Sequence, residues 1–302
     1  MAQCARHQAE EVERAAEAIV GRRPALAELI GFYGALFTAQ EAARAGVRLE
    51  PAALAPELAR TKIENGFPLA APPELPVDVA AAQALFPELC RIAAGRASEL
   101  APSAAALMPC AAAVRGLYRS FLDADEAAVA HAARRFRAEP AALGFFLYHS
   151  LRPSLCRAAE LLAALIPEAA AWRRGACPVC GSPPALGLIA EEGRRSLVCG
   201  FCWHRWPYPR AVCAFCACAD PARLSYRFSA AEPEYRLELC AGCRTYLKTV
   251  DARRLDRPLY PPLEAIAGLH LDLWGEEAGC RSAAAAHDAA PAAGRLTSPE
   301  RG

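Results

Sequence analysis

Four Cys-x-x-Cys pairs lie in one stretch of this chain, at Cys177/Cys180, Cys199/Cys202, Cys213/Cys216 and Cys240/Cys243. Two residues between cysteines let a tight turn aim both sulfurs at one point, and two such turns joined by a hairpin complete a tetrahedron. The first two pairs are separated by 18 residues and the last two by 23, close to the spacing of paired-ribbon metal sites. The spacing therefore predicts two sites, one of Cys177, Cys180, Cys199 and Cys202, the other of Cys213, Cys216, Cys240 and Cys243. Four thiolates leave no coordination position for substrate or water, which points to structural or electron-storing sites. Tetrahedral sulfur suits zinc and rubredoxin-like iron alike, so two metal ions per chain are expected and their identity stays open. A redox-active Cys-x-x-Cys would sit at a helix start within a strand-helix-strand pattern, and no such pattern surrounds these pairs.

Cys218 offers a competing ligand register, Cys213-x₄-Cys218; the x₂ spacing is preferred because the other three pairs repeat it. The remaining cysteines, Cys4, Cys90, Cys110, Cys156 and Cys280, are scattered and read as small apolar residues.

Clustered thiols are metal ligands where the compartment is reducing. The N-terminus carries Glu10, Glu11, Glu13, Arg14 and Glu17 where a secretory leader needs an apolar run, and no segment reaches the ~20 apolar residues of a membrane span. A cytoplasmic protein without membrane insertion is expected. Net charge is +1 over 302 residues. Residues 172–260 carry 14 Lys and Arg against 8 Asp and Glu, an excess of 6 that suits an acidic partner but falls short of a nucleic-acid signature.

The fold class reads as α+β: an all-helical N-terminal domain, two small β-rich ribbons and a C-terminal helix. Boundaries are expected at 1–172 for the helical domain, 173–210 and 211–260 for the ribbons, 261–281 for the last helix and 282–302 for a disordered Ala/Pro/Gly-rich tail. After Pro24, Leu26, Leu29, Ile30, Tyr33, Leu36 and Phe37 share one helical face, with Gly46 as the stop. Pro68, Pro72, Pro73 and Pro76 mark a linker. Further helices are predicted over 79–94 and 104–122, from an Asp123/Glu126 capping box to about Arg137, and over 140–149 and 153–171. Hairpin-length strands are predicted at Leu186–Ala190, Arg194–Val198, Arg223–Phe228 and Tyr235–Leu239. Leu263, Ile266, His270, Leu273 and Trp274 give the closing helix its face.

The run Cys177-Pro178-Val179-Cys180-Gly181-Ser182-Pro183, then Cys199-x-x-Cys202-x₃-Trp206-x₃-Arg210-x-x-Cys213-x-x-Cys216, then Cys240-x-x-Cys243-x-x-Tyr246-Leu247-Lys248, resembles the formate dehydrogenase accessory protein family, FdhE. Leu271-Asp272, Glu277 and Gly279 near the end, and Pro24 through Phe32 with Gln40 near the start, are similar to weaker parts of the family pattern. The resemblance implies rubredoxin-like ribbons, iron as the metal, and a cytoplasmic non-enzyme needed for active formate dehydrogenase that binds its catalytic subunit. Two residues depart from the pattern: Ala217 where a glycine is expected after Cys216, and Cys280 where an aromatic residue is expected after Gly279.

Trp203, Trp206, Arg210, Tyr246 and Lys248 are the partner-binding candidates, because Trp and Arg anchor interfaces. Their bland reading is that the tryptophans cover the metal and that the charged residues are solvated or paired within the ribbon. His204 reads as a surface residue, since four sulfurs already complete the neighbouring site. Two other functions compete: a zinc-ribbon nucleic-acid binder and a rubredoxin-like redox protein. A homodimer is compatible with the sequence.

Overall fold

The computed structural model describes residues 7–50, 54–168 and 172–282. Cys4, residues 169–171 and the tail from 283 onward lie outside the described residues, and the helix expected to reach 171 already ends at Ala163. The N-terminal half is helical: α1 (Ala9–Arg22), α2 (Ala27–Arg44), α3 (Pro56–Glu64), α4 (Val79–Arg96), α5 (Ala101–Leu107), α6 (Leu117–Leu122), α7 (Glu126–Phe136) and α8 (Pro140–Ala163).

The centre of this bundle is α8. It carries Leu143, Phe146, Leu147, Leu151, Leu155, Ala159 and Leu162, all buried, and packs against α2, α4, α6 and α7. A helix apolar on most sides belongs inside. The sequence predicts a break before Pro153, yet α8 runs through it. Proline cannot donate to the carbonyl four residues back, here that of His149. The side-chain amide of Gln40 on α2 donates to that carbonyl instead, at 2.7 Å, so the freed acceptor is satisfied from a neighbouring helix. The helix expected over 104–122 is interrupted: 3₁₀ turns at Met108–Cys110 and Ala113–Gly116 separate α5 from α6. Pro109, within the first of these turns, has no N–H with which to continue the α-helical ladder. The cap of α7 is Asp125, which accepts from the amide of Ala128 at 2.9 Å, and not Asp123.

The cysteine-rich half forms one six-stranded sheet. Its strands are β1 (Pro184–Ile189), β2 (Arg195–Cys199), β3 (Arg205–Pro207), β4 (Leu224–Ser229), β5 (Glu232–Cys240) and β6 (Thr245–Asp251), in the order β3-β2-β1-β6-β5-β4. Each ribbon contributes a three-stranded antiparallel meander. The two are fused where β1 runs parallel to β6, pairing Gly187 with Thr249, Leu188 with Val250 and Ile189 with Asp251. The sequence reading anticipated neither β3 nor β6, and so did not foresee the junction. Gly187 sits at its tightest point. A Cβ there would lie 2.3 Å from Thr249 Oγ1, so only glycine lets the strands close.

The closing helical segment is divided at Gly268 into α9 (Pro261–Ala267) and α10 (His270–Glu277). The α9 helix packs on α1, α2 and β1, and α10 on β5 and β6. Glu264 of α9 is fully buried and accepts hydrogen bonds from Tyr235 Oη at 2.6 Å and from Arg257 Nη2 at 2.9 Å. A buried carboxylate held this way locks α9 to the sheet, because removing either donor strands a desolvated charge.

Gly187→Val should part β1 from β6 and cost about 1–3 kcal/mol, the usual penalty of overpacking. Gly95→Ala, where an added Cβ meets nothing within 4 Å, should be neutral or slightly stabilising. Urea titrations of both variants check this, and equal midpoints would show that the junction is not tight.

Candidate metal centres

The turn that carries each cysteine pair is built the same way. The amide of the first cysteine donates to the carbonyl five residues on: Cys177 to Ser182 (2.9 Å), Cys199 to His204 (2.9 Å) and Cys213 to Cys218 (2.8 Å). Cys240 faces Thr245 in the β5–β6 ladder at the same spacing. The residue after the second cysteine takes a left-handed conformation in all four turns: Gly181 (φ 76°), Trp203 (φ 60°), Ala217 (φ 56°) and Arg244 (φ 55°). The glycine expected after Cys216 is thus a real conformational requirement, met there by alanine at a backbone cost.

These turns bring together the sulfurs that the spacing predicted. Within each set of four, the sulfurs lie within 4.8 Å of one another. In the first set Cys177 and Cys202 are 3.7 Å apart and Cys180 and Cys199 are 3.5 Å apart. In the second, Cys213–Cys243 and Cys216–Cys240 are both 3.7 Å. A metal–sulfur bond of about 2.3 Å puts tetrahedral corners about 3.8 Å apart, while a disulfide needs about 2.05 Å. The spacing fits a tetrahedral ion and excludes disulfides. Backbone amides of Phe201 (3.3 Å) and Cys202 (3.4 Å) point at Cys199 Sγ, and that of Phe215 (3.4 Å) at Cys213 Sγ, as suits negatively charged sulfur. Burial pushes the thiols of Cys177 and Cys202 well above their ordinary pKa. Four sulfurs packed this closely become thiolates together only with a cation among them. The sites can therefore hold two metal ions.

Cys218 is not among the converging sulfurs. Its backbone position matches that of Ser182 and His204, so what it supplies to the turn is its carbonyl. His204 departs from the surface placement expected of it. It is buried, its ring stacks on Trp206 (6.4 Å between centroids, 5° between planes), and burial pushes its pKa down to about 4.

The two centres differ in exposure. All four cysteines of the first are buried, whereas in the second Cys216 is exposed and Cys243 half-buried. The first is enclosed by the proline-rich linker, whose Leu69 and Ala70 amides donate to the carbonyls of Pro178 and Val179 at 2.9 Å.

Of the five partner-binding candidates, one is at the surface. Trp206 is 1% exposed and its indole N–H reaches the carbonyl of Arg174. Trp203 is half-buried; it donates to Tyr148 Oη at 2.9 Å and lies under the Arg152 guanidinium at 5.3 Å. Tyr246 is buried and donates to Asp272 at 2.9 Å. Lys248 reaches the same carboxylate at 2.7 Å and the carbonyl of Ala265 at 2.8 Å. Trp203, Tyr246 and Lys248 hold the ribbons to the helices, Trp206 is buried against its own ribbon, and Arg210 alone is exposed.

The seam they meet was not foreseen. Arg152 of α8 is 3% exposed and donates to Gln40 and, at 3.0 Å, to Tyr260 Oη, which in turn donates to Glu41 at 2.7 Å. The one signal available was a charged residue, Arg152, placed directly after the apolar run Ala141–Leu151.

The fold and sites define a class: a helical domain carrying tandem Cys₄ ribbons fused in one sheet. Residues 176–210 match the family model described as "FdhE, central domain". The "Protein FdhE homolog" of Aquifex aeolicus is 36% identical over 141 residues, 45% of this chain and 48% of that protein. The one from Haemophilus ducreyi is 33% identical over 116 residues, 37% of each chain. The matched segments thus span about half or less of these curated relatives. The crystal structure of the FdhE protein from Pseudomonas aeruginosa superposes with a TM-score of 0.63 at 25% identity, covering 91% of this chain and 95% of that one. The chain is thus similar to FdhE proteins in its cysteine-rich sequence and, along most of its length, in fold.

Two outcomes are expected. Ala217→Gly should stabilise the second ribbon by about 1 kcal/mol by relieving the left-handed alanine, read as a higher urea midpoint; an unchanged midpoint would show that the turn is not strained. Chelator challenge should release metal in two phases, the faster from the second centre, so that Cys240→Ser removes the fast phase and Cys180→Ser the slow one. A single phase would mean that exposure does not set metal lability.

Proposed function

We propose that the protein is a maturation factor for formate dehydrogenase, binding the enzyme's catalytic subunit in the cytoplasm without itself being an enzyme. The observation that carries this reading is the closure of both metal centres. Four cysteine sulfurs at tetrahedral separation leave no open position for substrate. What remains for such a protein is to present a rigid surface, and the similarity to FdhE proteins supports formate dehydrogenase as the beneficiary. No helix among the described residues is long and apolar enough to cross a membrane, which is compatible with action before the enzyme reaches one. Rigid ribbons suit client binding because little conformational entropy is lost on association.

One observation favours a second reading. Cys216 is exposed, so iron in the second centre would lie near solvent, within reach of an electron-transfer partner. In that case the protein would report or relay redox state to its client. A visible absorption band that bleaches reversibly under dithionite would support it, and stoichiometric zinc would remove it.

The primary test is capture of the catalytic subunit by tagged protein under anaerobic conditions, alongside formate dehydrogenase activity in cells lacking the native gene. Wild type should capture the subunit and restore activity. Cys180→Ser and Cys240→Ser should lose both functions together with one metal each. Failure of wild type to capture the subunit would remove the client from the proposal.

A further inference from the structure

One edge of the fused sheet is open. The other, β3, is three residues long, which protects it. At the far side β4 runs for six residues, Leu224–Ser229, pairs only with β5, and is exposed along nearly its whole length. Every second residue of such a strand turns an unpaired N–H and C=O outward.

The same strand carries aromatic surface. Six large apolar side chains are exposed among the described residues, and two of them, Tyr226 (62%) and Phe228 (56%), sit on β4. Their rings stack on each other at 6.1 Å. Beside them a groove of about 330 Å³ runs over the second ribbon, lined by Arg210, Val212, Phe215, Leu224, Tyr226 and Leu247. Its carboxylate, Glu238, is committed to Arg195. Arg210 and Arg227 are exposed and have no carboxylate partner among the described residues. Arg236 lies over the Tyr226 ring at 5.7 Å.

We propose that β4 is a docking edge for an extended acidic segment of a partner protein, which adds a seventh strand to the sheet beside Tyr226 and Phe228 and pairs with Arg210 and Arg227. This deepens the client reading above and rests on it for the partner's identity. Strand addition gives affinity through main-chain hydrogen bonds and specificity through alternate side chains. A second copy of this chain is disfavoured as occupant. Antiparallel β4–β4 pairing would bring two Arg227 side chains together at the middle of the strand, and like charges across a ladder repel. Nucleic acid is disfavoured because the two rings spend a face on each other, leaving no pair of separate stacking platforms.

The test uses full-length protein purified without air, with wild type, Tyr226→Ser/Phe228→Ser, Arg227→Glu and Arg227→Lys. Far-UV circular dichroism and metal content establish that each variant is folded; the mutated side chains are exposed, so retention is expected. Two probes are titrated: the formate dehydrogenase catalytic subunit, and a short peptide alternating glutamate and valine, with its lysine–valine counterpart as control. Both the subunit and the glutamate peptide should protect the amides of residues 224–229 from hydrogen exchange. The double variant and Arg227→Glu should weaken both by at least about tenfold, while Arg227→Lys stays near wild type. The lysine peptide should not bind. A glutamate peptide that binds while the subunit does not would keep the edge and remove that client. A subunit that binds wild type and the double variant equally, without protecting 224–229, would overturn the edge and leave the client reading intact. Dimerisation of wild type abolished by the double variant would assign the edge to a second copy, and comparable binding of oligothymidine lost in the same variant would assign it to nucleic acid. Either result overturns the proposal.

Discussion

Two tetrahedra of sulfur can each order a pair of tight turns, but neither can fix how one ribbon sits on the other. That depends on the parallel pairing of β1 with β6. Parallel strands usually need a long crossover between them. Here the crossover is the rest of the cysteine-rich region, β2 through β5, and a metal ion in each sulfur cluster would hold its turns in place. The consequence is a single sheet with one apolar face available to α9 and α10. Structural thiolate sites contribute on the order of 10 kcal/mol to folding at neutral pH, and the junction at Gly187 is how each centre's contribution is shared with the other ribbon.

The second organising contact is the buried Arg152. A guanidinium taken out of water is costly unless its donors are used. This one is surrounded by Gln40, Tyr260, Glu41 and the face of Trp203, groups from α2, the segment before α9 and the first ribbon. Helical half, ribbon and C-terminal segment therefore meet on one charge. Gln40 has a double role: its oxygen accepts from Arg152 while its nitrogen donates to the carbonyl that Pro153 leaves free. The helix that should break at proline and the cation that should not be buried are made tolerable by the same side chain.

What could be read from the sequence divides along physical lines. The two clusters of converging sulfurs were legible because such geometry is local: Cys-x-x-Cys fixes a turn, and the turn fixes the sulfur direction. The strands at Leu186–Ala190 and Tyr235–Leu239 were legible for a similar reason, since prolines, glycines and cysteines close by punctuate them. The strand at 245–251 was not, since Tyr246, Leu247, Lys248 and Thr249 follow a cysteine pair directly and no turn residue marks a start. Continuity of α8 depended on a partner more than a hundred residues away. Trp203, Tyr246 and Lys248 have the residue types of an interface, and they do form one, but within the molecule. Composition cannot tell an internal interface from an external one, because both select aromatic and cationic side chains.

The left-handed residues of the four turns show where an external interface can reach a metal centre. Gly181 packs against Pro68 of the linker. Trp203 is tied to Tyr148 of α8. Arg244 donates to the carbonyl of Gly279 behind α10, and its own carbonyl accepts from Arg281. The left-handed residues of three turns thus meet other parts of the chain, and in two of them the residue is long enough to make that contact itself. The fourth turn is held at its start, by Tyr208 Oη on the Cys213 carbonyl at 3.0 Å and by Gly175 against Ala214, while Ala217 is exposed. Its turn, Cys213–Cys218, carries the exposed Cys216 and borders the groove beside β4. The exposed part of the turn is Cys216 and Ala217, in the ribbon whose edge strand β4 is also exposed. A partner added at β4 would lie against the one centre whose sulfur faces solvent, so that docking and metal occupancy at the second site become mutually dependent.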